Sequence, residues 1–431
     1  MIPTPMPRRS IAGPAAYRAW PAVLALAALG CGEATAPAAD AADTGSTPEV
    51  VVAQLTGRGT DLGTLGGAAS FAHDVNDQGV VVGVSQTAAG LSRAFRWTAS
   101  TGMAELGTLP GDLQSTAVRI LNSGKILGTS TSATGVVTPV IWTAAGEIVP
   151  LAIPRGPGLD GALPVDFNDK GDVVGRGVDD EGVGHGWYWS EATGRIDLRA
   201  EIPSCSENEA SAINARGDVA GTYCRADIGW LHAFVWRFGR GYRDLGIVGD
   251  DVPNANVSGL AITDAGIVAG WIDPHGNTAP VGYLWTAGRG FTLLPNLPGG
   301  VSFGHAQGVN GRGVAVGASF DPGANAFLPV AWPSPSAIVR LDGGTPHPGV
   351  ALAVNDRGAV VGWHRVNGSP RAMLWQLEPN QTASVATVAA AAARARRAVP
   401  VTPVTGAESC LGDRAVLRSK AALFRCAVER M

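Results

Sequence analysis

The most constraining feature of the sequence is one motif that occurs seven times. It reads Asn-x-x-Gly, then one variable residue, two apolar residues and a second glycine, and in two copies Leu121 and Thr263 replace the asparagine. Its first glycines are spaced by 45 to 49 residues: Gly79, Gly124, Gly171, Gly217, Gly266, Gly313 and Gly358. A tryptophan follows each of them by 17 to 19 residues: Trp97, Trp142, Trp189, Trp236, Trp285, Trp332 and Trp375. Self-similarity at a fixed period is the signature of a repeat architecture, so residues 50–378 are predicted to be a repeat domain.

The composition agrees with a protein made of many short strands. Of 431 residues, 59 are Gly and 29 are Pro, and charged residues are only 16%. A disordered chain is poor in hydrophobic residues, whereas 45% are hydrophobic here, so wholesale disorder is excluded. The formal net charge of −4 is small, and we expect no nucleic-acid partner.

Each part of the repeat predicts a specific local structure. The Asn-x-x-Gly segment suits a type I turn with a left-handed fourth residue, which only glycine adopts without penalty. The strand after it carries adjacent apolar residues such as Val81 and Val82, so both faces of the sheet are covered. Four short strands in about 47 residues, packed on both faces, describe a propeller blade. The predicted fold is all-β, a seven-bladed β-propeller with four-stranded blades.

The two ends of the repeat region predict how the ring closes. A Leu-Gly strand at 61–67 precedes the first hairpin without an upstream tryptophan, and none follows Trp375. We therefore predict that residues 50–65 pair with the segment ending at Trp375, so that an N-terminal strand completes the last blade. The alternative is an extra strand that caps an open stack.

Three segments, 61–67, 76–83 and 232–236, resemble the HAF-repeat family of bacterial extracellular proteins. The last of these contains the name-giving His-Ala-Phe. The resemblance covers about residues 51–378 and implies an exported, repeat-built β protein. It implies no reaction and no catalytic residues.

The first 49 residues indicate export. Arg8, Arg9 and Arg18 precede an apolar run at 20–30, which is too short to span a bilayer and is typical of a signal peptide. The run ends at 28–31 in a segment that resembles a bacterial lipobox, which predicts lipidation of Cys31. Residues 1–31 are then the signal peptide and 32–49 a flexible tether. The alternative is ordinary cleavage within 34–42, which would leave the protein extracellular.

The other four cysteines form two candidate pairs. Cys205 and Cys224 flank the hairpin whose turn is 214–217, so a disulfide between them fits an oxidising compartment. Cys410 and Cys426 are the second candidate pair.

No catalytic, metal or cofactor motif emerges. His185 and His232 occupy the same slot four residues before the repeat tryptophan, which favours a structural role. Acidic clusters at 74–77 and 166–169 carry oxygens that Ca²⁺ could use, although side chains that satisfy their own turns explain them more simply. We expect no cofactor.

Three further tryptophans are candidate ligand-stacking residues: Trp230, Trp271 and Trp363. Trp271 and Trp363 each follow the second repeat glycine, where other copies carry mostly smaller residues. Such rings could stack on sugars or peptides, or pack against a neighbouring blade.

Residues 379–431 belong to no repeat and combine an Ala-rich linker with a basic, partly helical segment. They carry eight Arg or Lys against three acids, which suits docking on an anionic surface or on the acidic body, or a solvated tail.

The function predicted overall is a non-catalytic binding module for an envelope or extracellular glycan or protein. The module is predicted to be monomeric and bound to the membrane only through its lipid. A secreted polysaccharide hydrolase or lyase and a passive surface spacer are the alternatives.

Overall fold

The computed structural model of the protein describes residues 51–54, 59–154, 160–179, 182–202, 205–225, 229–247, 255–273, 280–299 and 303–377. For 51–54, 160–162 and 205–206 only the backbone is described. The described chain folds into seven antiparallel four-stranded sheets, one per repeat, and these are the blades. Blades 1 to 3 comprise Gly66–Val75, Val81–Thr87, Ser92–Thr98 and Gly102–Glu105; Asp112–Ile120, Ile126–Ser132, Val137–Trp142 and Ile148–Pro150; and Asp160–Phe167, Val173–Val178, Gly184–Ser190 and Gly194–Asp197.

The other blades follow the same order of first to fourth strand. Blades 4 and 5 comprise Cys205–Ile213, Asp218–Arg225, Leu231–Arg237 and Gly241–Asp244; and Asn256–Ile262, Val268–Asp273, Val281–Thr286 and Gly290–Leu293. Blade 6 comprises Gly304–Val309, Ala315–Asp321, Ala326–Ser334 and Ala337–Arg340, and blade 7 contributes Gly349–Val354, Ala359–Val366 and Ser369–Gln376. A four-residue helix, Leu198–Glu201, is the only helix in these ranges. No helix of the described residues has the length and apolar character needed to cross a membrane.

The blades form a closed ring. The first strand of every blade contacts the first strand of the next, and that of blade 7 contacts that of blade 1. The hydrophobic clusters lie between neighbouring blades, as the adjacent apolar residues of the second strands predict. The prediction of an all-β, seven-bladed propeller is confirmed. The alternative prediction of an open stack is wrong.

An N-terminal strand completes blade 7, but the N-terminal segment is divided between two blades. Thr60–Asp61 pairs antiparallel with Leu374 and Met373, as predicted, and provides the fourth strand. Val51–Gln54 instead pairs in parallel with Ala337–Arg340 of blade 6. This corrects the prediction that 50–65 pairs as one unit with blade 7. The reason is that the outer strand of blade 6 offers an unpaired edge, which the passing chain covers.

The repeat asparagine and first glycine build the turn between the first and second strands. All seven first glycines have φ between +75° and +87°, in the left-handed region, as the motif predicts. Within the turn at 76–79, Oδ1 of Asn76 accepts hydrogen bonds from the amides of Gln78 and Val80. The asparagine therefore satisfies its own turn and leaves its side-chain amide free to donate elsewhere.

That amide reaches the next blade. Asn168 donates to the carbonyl oxygen of Asn214, and Asn310 donates to that of Asn355, at 3.1 and 2.9 Å. The second position of the turn makes a similar link: Asp264 of blade 5 accepts a hydrogen bond from the amide of Ala215 of blade 4 at 2.8 Å. We call this series of hydrogen bonds between neighbouring turns the turn belt. The end of the propeller that carries it, with the turns between third and fourth strands, is the belt face; the opposite end is the loop face.

The second repeat glycine has a different role. A Cβ on Gly83 would overlap the carbonyl oxygen of Phe71 in the adjacent first strand, and one on Gly317 would overlap that of His305. Each first strand has a β-bulge just beyond this point, for example between Ala306 and Gly308. Glycine is thus required because the bulged strand approaches the second strand too closely for a side chain.

Candidate functional site

The two repeat-slot histidines pair with carboxylates, and the same arrangement recurs in four blades of the ring. The slot lies on the third strand, four residues before the repeat tryptophan, and its partner is the carboxylate that ends the fourth strand. The pairs are Arg93–Glu105, His185–Asp197, His232–Asp244 and Arg371–Asp61, with N···O distances of 2.8 to 3.2 Å. In blade 7 the carboxylate comes from the N-terminal strand. In these four blades the slot side chain therefore ties the outer strand to its blade.

His232 illustrates the electrostatics of this slot. Its Nδ1 lies 2.9 Å from Oδ2 of Asp244, and the hydroxyl of Tyr223 donates to the same oxygen at 2.9 Å. Burial tends to raise the pKa of Asp244, but hydrogen bonds from His232 and the amide of Gly246 outweigh it and hold that pKa below its ordinary value. This is a buried, satisfied polar network, and it leaves no group placed for chemistry.

A second group of ionisable residues lies on the first strands of blades 1 to 3. Arg119 is 3.3 Å from Asp166, and Asp74 lies near enough to interact with it electrostatically. Both carboxylates also accept backbone amides from the next blade, Asp74 from Ile120 and Asp166 from Ile213, each at 2.9 Å. We call Asp74, Arg119 and Asp166 the inner-strand cluster.

Burial governs the protonation of this cluster. Desolvation raises the pKa of Asp74 to about 6, against the opposing effect of Arg119. It also raises the pKa of Asp166 and lowers that of His73, whose Nδ1 donates to the carbonyl oxygen of Ala117 at 2.7 Å. A carboxyl group that titrates near pH 6 is within the range of a general acid, although here it also serves as a hydrogen-bond acceptor between blades.

Aromatic side chains gather on the loop face between blades 5 and 6. His305 lies at the centre, with the ring of Trp271 edge-on at 5.6 Å and that of Phe327 at 5.9 Å between centroids. Phe320 and Phe303 extend the group, at 5.4 and 6.5 Å from Phe327. Trp271 and the three phenylalanines are each half-buried, so they retain accessible ring surface. We call these four the aromatic cluster.

The buried histidine beneath these rings is neutral. Burial lowers the pKa of His305 to about 4, and its buried Nδ1 has no hydrogen-bond partner within the described structure. Neighbouring rings at inclined angles hold the residue in place. The aromatic cluster is therefore a preorganised apolar surface with one uncharged polar ring under it, which is the composition typical of small-ligand and sugar sites.

Sequence reasoning identified only Trp271 in this cluster. The three phenylalanines all belong to the sixth repeat. In the first repeat the corresponding positions are occupied by Ala69, Gln86 and Ser92. Aromatic replacements at three separate positions of one repeat were the available signal. Only the fold shows that these positions share one end of the blade.

The other two stacking candidates lie in different surroundings. Trp363 is 4% exposed and packs edge-to-face on Phe71 of blade 1 at 5.6 Å, so it packs between blades, as the alternative reading expected. Trp230 is half-buried and directly precedes the third strand of blade 4.

The described residues bear on only part of the cysteine and calcium predictions. In blade 4, Cys205 lies opposite Arg225 and Cys224 opposite Glu207, one register position apart. The side chain of Cys205, together with Cys31, Cys410, Cys426 and residues 32–49 and 379–431, lies outside what the structure describes. Among the described residues, no group of three or more His, Cys, Asp or Glu could hold a metal ion. Asp74 and Asp166 belong instead to the inner-strand cluster.

An apolar crevice of about 240 Å³ lies between blades 2 and 3. Ile141, Leu151, Phe167 and Val173 line it, and Lys125 is its one charged residue. At the next seam Tyr188 occupies the position of Ile141 and packs on Trp236 at 5.3 Å. The crevice therefore reflects a smaller side chain at one seam, and it lacks the converging polar groups that a chemical site needs.

Comparison with known proteins identifies no relative by sequence. No protein-family model and no curated protein matches the chain. TolB from Acinetobacter baumannii is 14% identical in sequence, with a TM-score of 0.41; the match covers 64% of this chain and 62% of that one, less than two thirds of its length. The β-propeller domain of the Trilobed protease from Pyrococcus furiosus is 11% identical, with 72% and 94% coverage and a TM-score of 0.48. The Aleuria aurantia lectin is 10% identical, with 72% and 96% coverage and a TM-score of 0.35.

Proposed function

We propose that this protein is an exported, non-catalytic binding module of the bacterial cell envelope, anchored through Cys31, that binds an envelope or extracellular glycan or protein on its loop face. We also propose that it belongs with the HAF-repeat proteins that its motifs resemble. The observation that carries the binding proposal is the aromatic cluster.

The argument rests on contrast with the rest of the ring. The repeat histidines hydrogen-bond to carboxylates, the asparagines form the turn belt and the first glycines set the turn geometry. By comparison, Phe303, Phe320 and Phe327 occupy positions where the first repeat has no aromatic residue, and they fill no repeated structural role. Half-buried rings with fixed orientation bind planar or apolar ligand faces with little loss of conformational entropy.

A binding screen tests this proposal. The full chain is screened against glycans, cell-wall fragments and envelope proteins, and each hit is repeated with Trp271→Ala and Phe320→Ala. We expect affinity to fall by at least about tenfold in each variant. Phe238→Ala is the matched control, because Phe238 is 53% exposed but follows the third strand of blade 4 on the belt face. Equal affinity in all three variants would place the ligand elsewhere.

Anchoring has its own test. Cys31→Ser should move the protein from the membrane fraction to the soluble fraction of its host. A wild-type protein that is already soluble would exclude the lipid anchor but leave ligand binding on the loop face unaffected.

The inner-strand cluster favours the polysaccharide-degrading enzyme as a second candidate. Asp74, with a pKa of about 6, and Asp166 are two carboxyl groups on blades 1 and 3, with Arg119 of blade 2 between them. If the protein cleaves a polysaccharide, Asp74→Asn should lower turnover by about 100-fold or more. A binding module shows no turnover in wild type, and a passive spacer shows neither turnover nor ligand binding.

A further inference from the structure

The chain enters and leaves the described ring on the belt face. The amide of Leu377 donates to the carbonyl oxygen of Gly358 at 2.9 Å, and Nε2 of Gln376 donates to that of Arg357 at 2.9 Å. The last described residue therefore lies against the belt-face turn of blade 7. At the other end, Val51 pairs with Ala337, which begins the fourth strand of blade 6 directly after a belt-face turn. The chain thus enters and leaves at adjacent blades.

The aromatic cluster lies at the opposite end of the strands. Phe303 directly precedes the first strand of blade 6, and Phe320 and Phe327 flank its second-to-third strand hairpin. Strands of six to nine residues rise about 20–30 Å, which is the separation of the two faces. A surface that holds both chain ends is therefore remote from the proposed ligand site.

The sequence that follows Leu377, rather than the turns, favours one kind of partner for the belt face. The third position of the turns is an exposed cation in four of seven blades: Lys170, Arg216, Arg312 and Arg357. The second position is an acid in four blades as well, Asp77, Asp169, Asp264 and Asp356, so the charges of the turns themselves balance. Beyond Leu377 the sequence adds eight Arg or Lys against three acids in 379–431. The segment that carries this net positive charge follows Leu377, which lies on the belt face.

We propose that the belt face lies against an anionic lipid bilayer and that the loop face points away from it. The proposal rests on the envelope location proposed above. The 19 residues at 32–50 can extend at most about 65 Å, so an anchor at Cys31 keeps the ring near the membrane without selecting a face. The basic C-terminal segment provides the second attachment, through attraction to anionic headgroups. Together the two attachments orient the ring and present the aromatic cluster outward.

Site-specific photo-crosslinking to lipid tests the orientation. A photoreactive amino acid replaces one residue of the full chain in vesicles of 70% phosphatidylcholine and 30% phosphatidylglycerol. Two matched pairs of exposed, uncharged positions are available, with the belt-face position first: Gln78 and Ala89 in blade 1, and Ser123 and Ala133 in blade 2. We expect at least about fivefold more lipid adduct from the belt-face positions. Equal adducts, more adduct from the loop face, or no association with the vesicles would overturn the proposal.

A charge variant separates the basic segment from the lipid anchor. Replacing Arg394, Arg396 and Arg397 by Gln should lower the belt-to-loop adduct ratio several-fold and leave the melting temperature unchanged. An unchanged ratio would show that these arginines do not orient the ring. Ligand binding by the same variants, measured in solution with Trp271→Ala as reference, reports on the proposed function independently of orientation.

Discussion

The side-chain amide of Asn355 donates to the backbone carbonyl oxygen of Asn76 over 2.8 Å, although 279 residues separate them in sequence. The neighbouring residues repeat the link, since the amide of Asp356 donates to Asp77 at 3.0 Å. Blade 7 is thereby joined to blade 1 by the same contact that joins blades 3 and 4. The ring is closed by the repeat motif as well as by the N-terminal strand.

The two functions of Asn355 can be separated by substitution. Asn355→Asp keeps an acceptor for the amides of Arg357 and Ala359 but loses the donor to Asn76, so it should destabilise the fold by about 1 kcal/mol. Asn355→Ala loses both and should cost about 1–3 kcal/mol. Denaturant unfolding measures both changes, and Asn367→Asp, on the exposed loop-face hairpin of blade 7, is the control. Equal losses for Asp and Ala would show that only the link to blade 1 matters.

The N-terminal strand should be indispensable. Deleting 50–66 removes the partner of Leu374, the ion pair of Asp61 with Arg371 and the bond from the amide of Leu62 to Ala372. It also exposes the outer edges of blades 6 and 7, so we expect an unfolded or aggregating product. Deleting 380–431 is the control and should be tolerated. A folded monomer without residues 50–66 would contradict closure by this strand.

Most of the fold follows from the sequence because seven copies carry the same constraints. A left-handed glycine, an asparagine and a tryptophan at a fixed period leave few alternatives to a propeller. The path of 51–54 could not be foreseen, since one unrepeated strand carries no register information. The aromatic cluster was also hidden, because Trp271 and His305 belong to different repeats and meet only across a seam. The slot of His185 and His232 was correctly read as structural, but its partner on the fourth strand was missed.

The second repeat glycine gives a sharp stability test. Gly317→Ala places a Cβ against the carbonyl oxygen of His305, and it should cost about 1–3 kcal/mol or more in free energy of unfolding. Gly288→Ala is matched to it, since that exposed glycine has open space around it and a φ outside the left-handed region. The control should be neutral or slightly stabilising. A loss as small as that of the control would show that the bulge can relax.

Asp74 should make stability fall as pH rises. Its folded pKa, about 6, exceeds the ordinary value of 3.8, so the folded state binds the proton more tightly than the unfolded state. Stability is therefore lost between pH 4 and 6, by on the order of 3 kcal/mol from this group. Asp74→Asn can still accept from the amide of Ile120. The variant should gain stability relative to wild type as the pH rises from 4 to 7.5. Thermal unfolding across this range, with Asp77→Asn as comparison, measures the effect.

The disulfide between Cys205 and Cys224 remains a prediction. Their positions one register step apart are compatible with a bridge across the first two strands of blade 4. Protein from an oxidising compartment should contain the linked peptide, and reduction should destabilise it by about 2–4 kcal/mol. Mass spectrometry that finds both as free thiols would reject the bridge.

The pairing of Asp61 with Arg371 sets the order of events during biosynthesis. The first member is made 310 residues before the second, which at 5–20 residues per second corresponds to about 15–60 s on the ribosome. Throughout that interval the nascent N-terminal strand has no partner, and blades 1 to 6 cannot enclose the axis. The last blade to be synthesised thus determines when the whole ring becomes resistant to proteases. If the chain is exported as proposed above, the ring can close only after the final repeat has emerged on the far side of the membrane.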